Sequence, residues 1–127
     1  PGHPLPLSFY RFALSYLPTG WEHAVDDWTT LVAGIALMTP SAYSAQVGFG
    51  KALAEAGYSE ARLERLLAAE CDVRRTLFLR AIRFLAAKSK PFNWAEGARF
   101  LLTKSESKRE TLNLGIARDF YSKANKE

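Results

Sequence analysis

Along residues 72–87 the apolar side chains return every three or four positions: Val73, Leu77, Phe78, Ala81, Ile82, Phe84 and Leu85. At about 100° per residue these seven share one half of a helical cylinder, whereas a strand would throw them onto opposite faces. The other long segments follow the same period, and no stretch alternates apolar and polar residues in strand fashion.

Start and stop signals cut the chain at helical intervals. They predict a helix over residues 8–17 that stops at Pro18. A second begins at Thr19, with Glu22 completing a capping box, and ends after Met38 before Pro40. A loop fills residues 39–47. A short helix over 48–56 closes on Gly57, and Ser59 caps another that reaches Ala69. The longest clear helix runs from Asp72 or Val73 to Ala87. The pairs Asn93 with Glu96 and Ser107 with Glu110 open the last two, ending near Leu102 and Lys123. The expected fold is all-α, a compact multi-helix bundle forming a single domain over residues 1–127, with residues 1–7 a flexible N-terminal segment.

The polar half of the 72–87 helix is one-sided in charge. Arg75, Arg80 and Arg83 fall there, while Arg74 points into the apolar half and is expected to reach solvent by snorkelling. No acidic residue lies between Asp72 and Glu96, although Lys88 and Lys90 follow the arginines. Residues 1–57 carry a net charge of −2 and residues 58–127 a net +6. Unopposed like charges repel, so the counter-charge is expected from an anionic partner, and guanidinium suits bidentate phosphate contacts.

Two smaller clusters share the sign. Arg62 and Arg65 lie on one flank of their helix, Glu60 and Glu64 on the other. Lys104, Lys108 and Arg109 gather at the start of the final helix, where cations oppose the macrodipole. Each cluster alone could be a solvated surface; three together favour a polyanion-binding face. Arg99 could equally pack against its own helix.

Catalytic and metal chemistry find little support. His23 and Asp27 share a helix face, but only His3 could add an imidazole to a metal site, so Asp27 is expected on a solvated surface. The one cysteine, Cys71, stands between Glu70 and Asp72, which oppose thiolate formation. It precludes a disulfide within these residues and fits a cytoplasmic location. Neither GxSxG, HExxH nor a phosphate-cradling glycine loop is present. No enzyme activity and no cofactor are expected. The apolar run around residues 31–38 is too short to span a membrane. Trp21, Trp28, Trp94, Phe9, Tyr10, Phe12 and Tyr16 read as core, while Tyr43 and Phe49, near the loop, are better placed for exposure.

Residues 51–67 resemble a repressor helix-turn-helix, yet Leu53 stands where that motif needs a small residue, and Glu60 and Glu64 would face the DNA groove. A broader resemblance spans nearly the whole chain. Phe9-Tyr10-Arg11 is followed by Gly20-Trp21-Glu22, then by Gly50-Lys51-Ala52-Leu53-Ala54 running to Gly57 and Ser59-Glu60-x-Arg62. Next come Arg80-x-x-Arg83-Phe84-Leu85 and Asn93-Trp94-x-x-x-Ala98-Arg99-x-Leu101. A terminal helix ends Ile116-Ala117-Arg118-Asp119-Phe120-Tyr121. In this order the pieces resemble the small subunit of the type I-E CRISPR Cascade complex, the CasB family. Thr103 stands where that family often has tryptophan, the 39–47 loop is short, and little of the expected N-terminal helix precedes Phe9.

The resemblance implies a non-catalytic helical subunit of an RNA-guided antiviral surveillance complex. It would stand as a head-to-tail pair, bridge other Cascade subunits, and line a basic path for the unwound target DNA paired with guide RNA. The backbone contacts are expected from Arg75, Arg80 and Arg83, seconded by Arg62, Arg65, Lys88, Lys104, Lys108 and Arg109. A helix-turn-helix regulator and a protein-only helical adaptor are the alternatives.

Overall fold

A computed structural model describes residues 25–38 and 43–125. The helix expected over 8–17, the start of the second helix, His3, His23, Trp21 and the N-terminal segment lie outside the described residues. Within them the chain forms α1 (Val25–Met38), α2 (Phe49–Ala56), α3 (Glu60–Ala68), α4 (Cys71–Ala87), α5 (Trp94–Leu102) and α6 (Glu106–Asn125). The fold is all-α and single-domain, as expected. The only pairing of strand type among the described residues is an isolated bridge between Tyr43 and Phe92.

The expected caps set most of the boundaries. Gly57 ends α2 in the left-handed region at φ 87°, and the Tyr58 amide donates 2.9 Å back to the Leu53 carbonyl in a Schellman closure. Ser59 Oγ accepts from the Arg62 amide at 3.2 Å, and Asn93 Oδ1 accepts from the Ala95 amide at 3.0 Å. Two signals resolve differently. The last helix starts at Glu106, ahead of Ser107, which therefore lies in the first turn and accepts at its carbonyl from Thr111. Glu96 does not reach back to Asn93; its Oε1 accepts from the Phe49 amide at 3.1 Å. Asp119 Oδ2 accepts from the Lys51 amide at 3.0 Å, so two carboxylates from other helices satisfy the start of α2, whose own cap is the side-chain-less Gly48.

Phe49, Phe78, Phe92 and Phe100 are fully buried and touch one another, with ring centroids 5.0 Å apart for Phe49–Phe92 and 5.7 Å for both Phe49–Phe78 and Phe78–Phe100. Phe49 thus belongs to the centre of the core, while Tyr43 is 62% exposed. Position along the loop did not distinguish them; Phe49 is the first residue of a helix whose inner face it starts. Each such ring contributes about 1.5–3 kcal/mol on burial.

Around this cluster α1 packs on α4 and α5, α3 on α4, and α2 along α6. Segment 43–47 is stitched to the turn before α5 by Ser44 N–Phe92 O at 3.0 Å and Asn93 N–Val47 O at 2.7 Å. The helices of the helix-turn-helix-like segment therefore have other principal partners: α2 lies on α6 and α3 on α4.

The α2–α6 approach rests on Gly50, where an added Cβ would run into the Ile116 carbonyl oxygen. Backbone, unlike a side-chain tip, cannot swing away. Gly50→Ala should therefore cost about 1–3 kcal/mol in urea unfolding despite alanine's better helix propensity. An unchanged midpoint would show that the two helices are free to separate.

Candidate nucleic-acid interface

Because Ser59 caps α3 through the Arg62 amide, Arg62 sits in the first turn and Arg65 one turn further along the same flank. On α4, Arg80 and Arg83 stand at the same spacing. A connection of only two residues folds α4 back along α3, so that Arg62 near the start of one helix faces Phe84 near the end of the other. The outcome is a cleft of about 460 Å³ lined by Tyr58, Arg62, Arg65, Leu77, Arg80, Arg83 and Phe84. All four arginines are exposed, and none is ion-paired to a carboxylate among the described residues.

The acids of α3 are turned elsewhere. Glu60 and Glu64 face Tyr121 on α6, and a hydrogen bond from the Tyr121 hydroxyl to Glu60, with desolvation and the charges of both carboxylates, pushes the phenol pKa up. The floor of the cleft is apolar. Tyr58 and Phe84 meet at 5.4 Å between centroids with a 60° tilt, and Leu77 is half-buried beside them. Burial raises the Tyr58 pKa, against the opposing pull of Arg62 and Arg65. Lys88, one turn beyond Phe84, holds its ammonium 5.8 Å from that ring and extends the positive rim.

The remaining cations sit in different surroundings. Arg75 donates to Asp27 at 3.0 Å, pairs with Asp72 three residues earlier on its own helix, and lies 3.9 Å from Asp26. Burial works against its charge, but the hydrogen bonds it donates to Asp27 and Asp72, with the charges of both, outweigh it and leave the pKa raised. No acid stands four residues from Arg75 on its helix, but Asp72, three residues before it, meets its guanidinium. Lys104 reaches the other oxygen of Asp27 at 2.5 Å. Asp27 itself is only 4% exposed, a buried anion holding two cations and not part of a solvated face. Arg109 donates to the Ala69 carbonyl at 3.3 Å and sits 3.6 Å from Glu70. Lys108 is exposed, and so is Arg99.

Asp27→Ala would take from half-buried Arg75 its one buried carboxylate partner, leaving it the exposed Asp72 and Asp26, and would release Lys104. We expect a loss of about 1–3 kcal/mol of stability, moderated because Lys104 can turn to water. Denaturant unfolding of the variant measures it, and a loss comparable to a surface substitution would mean the pair is neutral.

Arg74 departs furthest from expectation. It does not snorkel: it is 4% exposed, donates from Nε and Nη2 to the Phe100 carbonyl at 3.1 and 2.9 Å, and from Nη1 to the Ala69 carbonyl at 3.2 Å. Its guanidinium carbon lies 3.6 Å from the centre of the Phe100 ring. Val73, expected inside, is 60% exposed instead.

The structure thus separates the nine candidate cations. Arg62, Arg65, Arg80 and Arg83 converge with Lys88 at one end; Arg75, Lys104 and Arg109 hold internal partners; Lys108 stands apart. Nothing in the sequence marks Tyr58, Leu77 and Phe84 as lining a cleft, beyond Tyr58 following the Gly57 turn and Phe84 adjoining Arg83. Among the described residues no group of three or more His, Cys, Asp or Glu side chains could hold a metal, and no helix is long and apolar enough to cross a membrane.

No curated protein and no solved structure matches the chain. The family model described as CRISPR-associated protein Cse2 matches residues 2–121, nearly its full length. With a helical fold, and with the Gly50–Gly57–Ser59 and Arg80–Arg83 pieces placed as described, the chain belongs to the CRISPR-associated Cse2 family, the small subunit of the type I-E Cascade complex.

Proposed function

We propose that this subunit stabilises unwound target DNA in an RNA-guided surveillance complex by holding nucleic-acid backbone along the α3–α4 cleft. The observation that carries the reading is the convergence there of Arg62, Arg65, Arg80 and Arg83 without carboxylate partners among the described residues. Exchanging a DNA duplex for a guide–target heteroduplex is nearly balanced in energy, so modest contacts to backbone or to the displaced strand can tip it. Sequence is read by the guide RNA, and the subunit needs only sequence-independent phosphate contacts. It works in the cytoplasm without chemistry of its own, as a head-to-tail pair bridging other Cascade subunits, with Lys108 and Arg99 on faces open to a neighbour or to nucleic acid.

The test is the salt dependence of single-stranded DNA binding by the isolated chain. Four neutralised phosphates give a slope of about −3 in log K against log salt, from roughly −0.7 per contact. A slope near zero would remove the reading and favour a protein-only adaptor. Operator specificity retained at raised salt would favour a helix-turn-helix regulator.

A further inference from the structure

A surface built only to hold phosphates has no use for an apolar floor. Here half-buried Leu77 and Phe84, beside a buried Tyr58, keep part of their apolar area open between four guanidinium groups, where leaving it in water is unfavourable unless something covers it. The cations over Phe84 stand off at the outer edge of cation–π range. Arg62 sits 6.0 Å from the Phe84 centroid and Lys88 5.8 Å, whereas Arg74 packs on Phe100 at 3.6 Å in the same protein. A sandwich of ring, planar base and guanidinium needs about 7 Å between its outer layers, two van der Waals separations. The gap over Phe84 lies within a side-chain rotation of that width.

The tilted Tyr58 ring, 5.4 Å from Phe84, closes one side of the slot. The volume of about 460 Å³ falls in the range of roughly 300–1,000 Å³ typical of sites for small organic groups.

From this we infer that the α3–α4 cleft holds a nucleobase subsite, in which one unstacked base of a single strand sits on Phe84 beneath Arg62 while the rim arginines take its flanking phosphates. The inference rests on the proposed reading of the cleft as a nucleic-acid site and narrows its ligand to single strands. A base within a duplex is stacked on its neighbours and cannot enter. Stacking tolerates any base, because every base has a π-face, so the subsite selects strandedness and not sequence.

The test compares two fluorescein-labelled single strands of equal length and charge, an oligothymidylate and its abasic counterpart, binding to the full chain by anisotropy. The abasic strand should bind roughly tenfold more weakly, at an unchanged salt slope. Phe84→Leu should erase most of that difference while leaving abasic binding as it was. A strand carrying 2-aminopurine should lose fluorescence on binding the unaltered protein, a readout independent of how well the variant folds. Equal affinity for both strands, with no quenching, would overturn the base subsite while salt-dependent binding keeps the phosphate reading intact. Absence of salt-dependent binding to either strand would overturn both.

Discussion

Replacing Arg74 with methionine should destabilise the protein by about 3 kcal/mol or more, the largest loss of any single arginine. Methionine preserves length and much of the apolar packing, so the substitution isolates the guanidinium. Phe100 lies in the last turn of α5, where carbonyls have no partner within the helix, and Ala69 follows the end of α3. Arg74 serves both, giving two hydrogen bonds to the Phe100 carbonyl and one to Ala69. Hydrogen bonds to a charged group contribute about 1.5–3 kcal/mol each, and stranding a buried acceptor costs about 1–3 kcal/mol. Against this stands the relief of desolvating one cation, which keeps the net below the sum.

Desolvation, with Arg109 adding repulsion, lowers the Arg74 pKa from its ordinary value to about 10, so the group stays charged at neutral pH. The unfolded chain holds more of this proton than the folded one only above about pH 10. Arg74 therefore adds no slope to stability across neutral pH, and the penalty for charging it lifts only above about 10. Arg74→Lys should recover less than half of the loss, because one ammonium cannot span both carbonyls as a planar fork does. Urea unfolding followed by circular dichroism reads the effect as a lower midpoint at unchanged slope. A midpoint no lower than that of an Arg83 variant would show that the two carbonyls are solvated after all.

Arg74 also marks where sequence reasoning reaches its limit. Helical periodicity placed it on the inner face, correctly, since that follows from its angle alone. What awaits it there is a backbone carbonyl 26 residues away, and no local pattern encodes that. The caps at Ser59 and Asn93 and the Gly57 closure were legible because the residue and the group it satisfies are neighbours in the chain. Glu96 shows the converse. Its spacing from Asn93 fits a capping box, but the unsatisfied start of α2 competes for the carboxylate and holds it.

Charge followed the same division. That Arg62 and Arg65 oppose Glu60 and Glu64 across α3 is a matter of helix angle, and it holds. That Arg75 and Lys104 meet a buried Asp27 depends on α1 packing beside α4, across 48 and 77 residues of sequence. The cleft, likewise, arises only when the two-residue connection folds one arginine pair against the other.

Arg80→Ala/Arg83→Ala should weaken single-stranded DNA binding by about 30- to 100-fold at low salt while leaving the fold intact. Both side chains are exposed and make no ion pair among the described residues, so truncation removes charge without stranding a buried partner. Each charge-assisted phosphate contact is worth about 1–1.5 kcal/mol at a solvated site, or roughly tenfold in affinity. The salt slope should also fall in magnitude by about 1.4, from the two counterions no longer released. That second number separates phosphate contact from indirect damage, because a misfolded variant loses affinity without a defined change of slope. Arg75→Ala is the internal comparison. Its guanidinium is already engaged by Asp27 and Asp72, so it should lower stability while leaving affinity within about twofold. In the assembled complex the double variant should open target DNA less completely, with guide-dependent recruitment otherwise preserved. If it binds and opens DNA as the unaltered subunit does, the cleft is not the nucleic-acid path. If Arg75→Ala instead produces the loss, the path runs over the α1–α4 face, and the carboxylates there must give way to phosphate.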